Sequence, residues 1–158
     1  MKILVIDDEA TNVALLEDML AEAGYSRVKS ITDSRVALET CDAFAPDLLL
    51  LDLMMPHVDG FAILESLRAK DGDIFFPIVV LTADVNERTK RRALGSGATD
   101  FLVKPFGQLE VLLRIANLLE TRRLHLLLDN QLAAFEEAVR ARSIELREAR
   151  SNWLDTTE

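Results

Sequence analysis

Asp52 stands at the end of four consecutive leucines, Leu48-Leu49-Leu50-Leu51, and is followed by Leu53-Met54-Met55-Pro56. A carboxylate at the lip of a buried apolar strand is costly unless something requires it there. Asp7 and Asp8 end an earlier apolar run, Ile3-Leu4-Val5-Ile6, and two further runs end in Thr82 and Lys104. Four strand ends that all deliver polar groups point to one shared site. Three converging carboxylates repel one another, so they hold protons at raised pKa or a cation neutralises them. Hard oxygen ligands suit Mg²⁺, which also accepts phosphate oxygens. An aspartate can attack phosphorus to give an acyl phosphate, a reaction that needs mainly positioning and charge neutralisation. Lys104 offers a point charge for phosphate and the Thr82 hydroxyl a hydrogen-bond donor. The chemistry these groups allow is magnesium-dependent phosphorylation of Asp52.

Such a site needs elements that bring distant residues to one edge. Short apolar, β-branched runs occur near 2–6, 27–31, 47–52, 77–82 and 99–104. Helical patterns lie between them near 10–23, 34–44, 58–69 and 86–96, and again from 108 onward. Val13, Leu16, Met19 and Leu20 repeat at helical spacing, and Gly24 is placed to stop that helix. Asp33 or Ser34 is a candidate cap for the second helix, with Pro46 beyond its end. Pro77 opens the fourth strand, where a missing N–H is tolerated. Alternating strands and helices predict a parallel sheet with right-handed crossovers. The unbroken apolar runs at 48–51 and 78–81 predict central strands covered on both faces. Ligands in such folds sit beyond the carboxyl ends of the strands, at the switch point of strand order.

The chain has 158 residues, 49% hydrophobic and 28% charged, with 27 acidic against 18 basic residues and a net charge of −9. That length fits one domain of residues 1–120 plus an extension, 121–158. The acidic balance disfavours nucleic acid as a direct partner. Cys41 is the single cysteine, so no intrachain disulfide forms, and burial as a small apolar residue is its expected fate. No segment reads as a signal peptide or a membrane span, and a cytoplasmic location is expected.

After Gly107 there is neither glycine nor proline. From Leu118 a heptad runs through His125, Leu132, Val139, Leu146 and Trp153 at a, with Thr121, Leu128, Phe135, Arg142 and Ala149 at d. It predicts a coiled coil continuing from the fifth helix. A helix packed on its own domain is the alternative, but the stripe is narrow and the helix long.

The segments Val5-Ile6-Asp7-Asp8-Glu9, Leu50-Leu51-Asp52-Leu53-Met54-Met55-Pro56, Asp59-Gly60, Leu81-Thr82-Ala83, Gly97-Ala98 and Phe101-Leu102-Val103-Lys104-Pro105-Phe106 occur in this order over residues 1 to about 120. In this the chain resembles a response-regulator receiver domain. The resemblance implies an α/β, flavodoxin-like, doubly wound five-stranded parallel sheet of order 2-1-3-4-5, with helices on both faces. It implies that Asp52 accepts a phosphoryl group from a sensor histidine kinase, a phosphotransfer protein or a small phosphodonor. Asp7, Asp8, Asp52 and the Met54 backbone carbonyl would hold Mg²⁺. Thr82 and Lys104 would bind the phosphoryl group and Phe101 would be the switch aromatic, with Lys104-Pro105 as a cis peptide. Gly60 and Gly97 would occupy tight backbone positions. Met54 and Asp84 lie where the family tunes dephosphorylation.

These features predict a phosphoacceptor signalling domain rather than an enzyme with turnover. An aspartate-based phosphatase would carry an acid two residues after its nucleophile, where this chain has Met54. A scaffold receiver is the other alternative. The segment 139–146 resembles the signalling helices that join receivers to output domains such as HD-GYP phosphodiesterases and diguanylate cyclases. A parallel homodimer through residues 118–153 is expected, with any output domain outside this chain.

Overall fold

A computed structural model describes residues 1–70, 72 and 74–157. Among them, β1 (Ile3–Ile6), β2 (Val28–Ile31), β3 (Leu48–Asp52), β4 (Ile78–Thr82) and β5 (Asp100–Val103) form one parallel sheet in the order β2-β1-β3-β4-β5. The helices are α1 (Ala10–Glu22), α2 (Ala37–Phe44), α3 (Gly60–Ala69), α4 (Glu87–Gly95) and α5 (Gln108–Thr156). The chain divides into two compact units, Met1–Arg122 and Arg123–Glu158. In the first, every β3 and β4 residue is buried, as runs without alternation require of strands covered on both faces.

Alternate side chains of those strands feed two separate cores. Leu49, Leu51, Ile78 and Val80 pack with α2, α3 and Ala93 of α4. Leu48, Leu50, Val79 and Leu81 pack with α1 and with Val111, Ile115 and Leu119 of α5. The central strands are thus covered by apolar side chains on both faces.

Helix ends follow local chemistry. Gly24, at φ +93°, ends α1 in the left-handed region that glycine enters without steric cost. Asp59 caps α3 by accepting from Ala62 N–H at 2.8 Å, and Asn86 caps α4 by accepting from Arg88 N–H at 2.8 Å. The second helix departs from expectation. A 3-10 turn covers Ser34–Val36 and α2 begins at Ala37. Asp33 caps only that turn, through Arg35 N–H at 3.0 Å. Ser34 is no cap, because its hydroxyl is drawn into the loop after β3. β4 starts at Ile78, one residue past Pro77.

Arg122 closes the opposite end of the sheet. Its guanidinium donates to Asp47 Oδ1 at 3.3 Å and to the Phe75 carbonyl at 2.9 Å. Asp47 Oδ2 also accepts from Lys2 N–H at 2.7 Å. The second unit is helical, with Leu128, Leu132, Phe135, Val139, Leu146 and Trp153 exposed.

Candidate functional site

Parallel pairing sets the site. Ile6 aligns with Leu51, Asp52 with Leu81 and Thr82 with Val103. The residues at or just after these strand ends therefore meet at one edge, where β1 and β3 adjoin and the strand order reverses.

Asp7 and Thr82 are fully buried and Asp52 nearly so, whereas Asp8 is half-buried. Lys104 Nζ donates to Asp7 Oδ2 at 2.9 Å and lies 3.7 Å from Asp52 Oδ1. Asp7 Oδ1 accepts from Glu9 N–H at 3.0 Å, and Asp52 Oδ1 accepts from Met54 N–H at 3.3 Å. The Lys104-Pro105 peptide is cis. Phe101 is buried within the core on the α2–α4 side.

The charges are incompletely balanced. Burial, then the neighbouring Asp7 charge, raises the Asp52 pKa to about 7, against the opposing pull of Lys104. Burial alone would lower the Lys104 pKa, but hydrogen bonding to Asp7 and the Asp52 charge outweigh it and the net shift is upward. One ammonium thus faces three carboxylates.

A divalent cation fits this deficit. Ligand oxygens of Asp7, Asp8 and Asp52 lie within 4.8 Å of one another. Asp8 Oδ1 is buried with no hydrogen-bond partner, and a buried acceptor left unpaired is costly. A hard cation with oxygen ligands would satisfy it.

The loops around the site are tied down by Ser34, which carried no expected role there, and by Asp84, which the resemblance placed beside it. Ser34 Oγ donates to the Pro56 carbonyl at 2.6 Å and accepts from Val58 N–H at 3.1 Å. The loop after Asp52 is thereby pinned to the turn before α2. Its only sequence signal was a serine in a capping position. Thr82 Oγ1 accepts from Asp84 N–H at 3.1 Å, and Asp84 accepts from Thr89 Oγ1 at 2.7 Å and Asn86 N–H at 2.9 Å. Those bonds hold the Asp84 carboxyl below its usual pKa and link Thr82 to the first turn of α4.

Two glycines are required by close approach. A Cβ on Gly60 would collide with the Asp52 carbonyl and with Leu53 Cα at 2.6 Å. Gly97 sits at φ +110°, with Arg68 Cγ 2.5 Å from where its Cβ would stand.

Residues 3–116 match the response regulator receiver domain. The alkaline phosphatase synthesis transcriptional regulatory protein PhoP of Bacillus subtilis is 40% identical over 118 residues, 75% of this chain and 48% of its own length. Response regulator PleD of Caulobacter vibrioides is 38% identical over 117 residues, 74% of this chain and 26% of its own length. Among solved structures, the chemotaxis protein CheY4 of Vibrio cholerae aligns with a TM-score of 0.68 at 30% identity, covering 74% of this chain and 97% of that one. The chain thus spans about half or less of the length of these curated relatives. Its acidic edge, its sheet order and these likenesses agree, and the chain belongs to the response-regulator receiver family.

Proposed function

We propose that Asp52 is the phosphoacceptor of this receiver, loaded by a sensor histidine kinase or phosphotransfer protein in a Mg²⁺-dependent reaction. The observation that carries this reading is the convergence of Asp7, Asp8 and Lys104 on the Asp52 carboxylate. A carboxylate oxygen of Asp52 attacks the donor's phosphorus, the P–N bond of the phosphohistidine breaks with its electron pair going to the ring nitrogen, and the imidazole leaves neutral after that nitrogen takes a proton from solvent. Lys104, already between Asp7 and Asp52, meets a phosphoryl oxygen as a fixed positive charge. Thr82 exchanges its bond from Asp84 N–H for one that it donates to the phosphoryl group. Asp7, Asp8, Asp52 and the Met54 carbonyl would hold Mg²⁺, which when bound would neutralise charge on the phosphoryl oxygens.

On this reading residues 1–120 are the receiver and 121–158 its helical extension. The output follows from movement of Thr82 and Phe101. Phe101 lies in β5 and packs in the core that holds Ala93 of α4. Thr82 pairs with Val103 of β5 and is linked through Asp84 to α4. The change passes through this α4–β5 region and along the α5 helix to a second copy in a parallel dimer or to an output domain. The protein acts in the cytoplasm, where such kinases present their phosphohistidine. Its own catalysis is limited to loading and losing its phosphoryl group.

Incubation with acetyl phosphate and Mg²⁺ tests the assignment. Wild-type protein should gain one acid-labile phosphoryl group by intact mass. Asp52→Asn should gain none, and EDTA should suppress the gain. Undiminished labelling of Asp52→Asn would sink the proposal.

A further inference from the structure

Beside the acidic edge lies an open cavity of about 430 Å³, lined by Leu53, Met54, Met55, Asp59, Phe61 and Arg92. Its floor is apolar, since Leu53, Met55 and Phe61 are largely buried, and Met54 stands 69% exposed at its side. The Arg92 guanidinium lies 3.9 Å from the centre of the Phe61 ring. Stacking occupies the face of the guanidinium and leaves its in-plane N–H donors available. None of them has a hydrogen-bond or ion-pair partner among the described residues.

Arg92 is not alone. Arg88, Lys90, Arg91 and Arg92 are all exposed on the nine-residue α4, in a protein of net charge −9. Five arginines elsewhere meet carboxylates, Arg35 with Asp33, Arg114 with Asp100, Arg122 with Asp47, Arg140 with Glu137 and Arg142 with Glu145. Arg88, Arg91 and Arg92 have no such partner among the described residues. Residues one helical turn apart share a flank, so Arg88 continues the flank on which Arg92 borders the cavity.

We propose that this groove, between the loop after β3 and α4, docks an acidic peptide segment of a partner protein. An apolar side chain of that segment seats on Met55 and Phe61. Its carboxylates meet the Arg92 fork and Arg88. Arginine recognises carboxylate through two parallel N–H bonds, and exposed methionine adapts to varied apolar side chains. A peptide fits better than nucleic acid. A short segment gains apolar burial in the groove, whereas a long polyanion meets the repulsion of the remaining acidic surface. The groove borders the Asp52 site at Met54, but the residues proposed to contact the peptide, Met55, Phe61, Arg88 and Arg92, have no assigned part in phosphoryl transfer.

Fluorescence anisotropy with a labelled helical peptide carrying two glutamates one turn apart and a leucine between them tests the proposal. The full chain should bind it at least about tenfold more tightly than the same peptide with glutamines, the scale of charge-assisted hydrogen bonds. Replacing the leucine by serine should weaken binding. Arg88→Glu with Arg92→Glu should abolish it, and Arg92→Lys should weaken it through loss of the fork. Acetyl phosphate labelling of each variant reports an intact fold, so failure of docking and failure of the phosphoacceptor reading are told apart. Equal binding by the double variant, equal binding of the serine peptide, or equally tight binding of a DNA duplex of matched charge would each overturn the proposal.

Discussion

Asp52 is held in the fold at a pKa of about 7, above its ordinary value of 3.8, first by burial and then by the Asp7 charge. The sign follows from linkage. A raised carboxyl pKa means the protonated form is the one the fold accommodates. That contribution is complete below the unfolded pKa, about 4, and is lost as pH rises through about 7. In Mg²⁺-free buffer, the stability of Asp52→Asn relative to wild type should therefore grow between those two pH values, measured by urea unfolding. Saturating Mg²⁺ should shrink the difference, because a cation stabilises the carboxylate. A pH-independent difference in EDTA would show that Asp52 carries no buried-charge cost. The aspartates, the threonine and the lysine were legible in the sequence because each ends an apolar run. Their electrostatic balance was not, since it depends on Lys104 reaching Asp7 across 97 positions of sequence.

Loops and helix starts hold the site in place. Ser34 joins the turn before α2 to the loop after Asp52 by two hydrogen bonds within one buried hydroxyl. Ser34→Ala removes both of these bonds, while the Val58 N–H keeps its bond to the Pro56 carbonyl at 3.0 Å, and should cost about 1 kcal/mol in chemical denaturation. Ser34→Thr, which keeps the hydroxyl, should cost less. Gly60→Ala should be worse placed still. The added methyl meets backbone atoms of Asp52 and Leu53, which have no rotamer in which to escape. A loss of about 1–3 kcal/mol or more, together with slower phosphoryl uptake, is expected because the collision lies on the nucleophile's own peptide. Mass labelling and thermal melts check both. The glycine was readable in the pattern Asp59-Gly60. The serine was not, because its partners lie 22 and 24 residues away and its local context favours a helix cap.

Over the whole molecule, the first unit matches the receiver family and the second is a helix with exposed leucines, phenylalanine and tryptophan. Exposed apolar stripes of this kind mark association sites. Leu128, Leu132, Phe135 and Val139 recur at alternating spacings of four and three, as a two-stranded seam requires. Arg142 at a d position interrupts it, and is paired along its own helix with Glu145 at 3.2 Å. If the extension dimerises, sedimentation velocity should find a dimer in wild type and a folded monomer for Leu132→Asp with Val139→Asp. A monomeric wild type at high concentration would end that reading. Cross-linking along residues 118–153 should change when beryllofluoride occupies Asp52 if phosphorylation reaches the helix.

By itself the sequence determined the alternation of strands and helices and the polar residues at strand ends. It also determined the long heptad, because periodicity and punctuation by glycine and proline are local properties of a chain. The family resemblance added the strand order. Only the tertiary structure decided that Ser34 serves a loop and not a helix, and that Asp84 ties Thr82 to α4. It alone placed the cations of α4 beside an apolar groove. The Ser34 and groove contacts join residues far apart in the chain, set when the sheet brings its edges together, whereas the Asp84 bonds span only two and five positions and depend on the turn that the chain takes after β4.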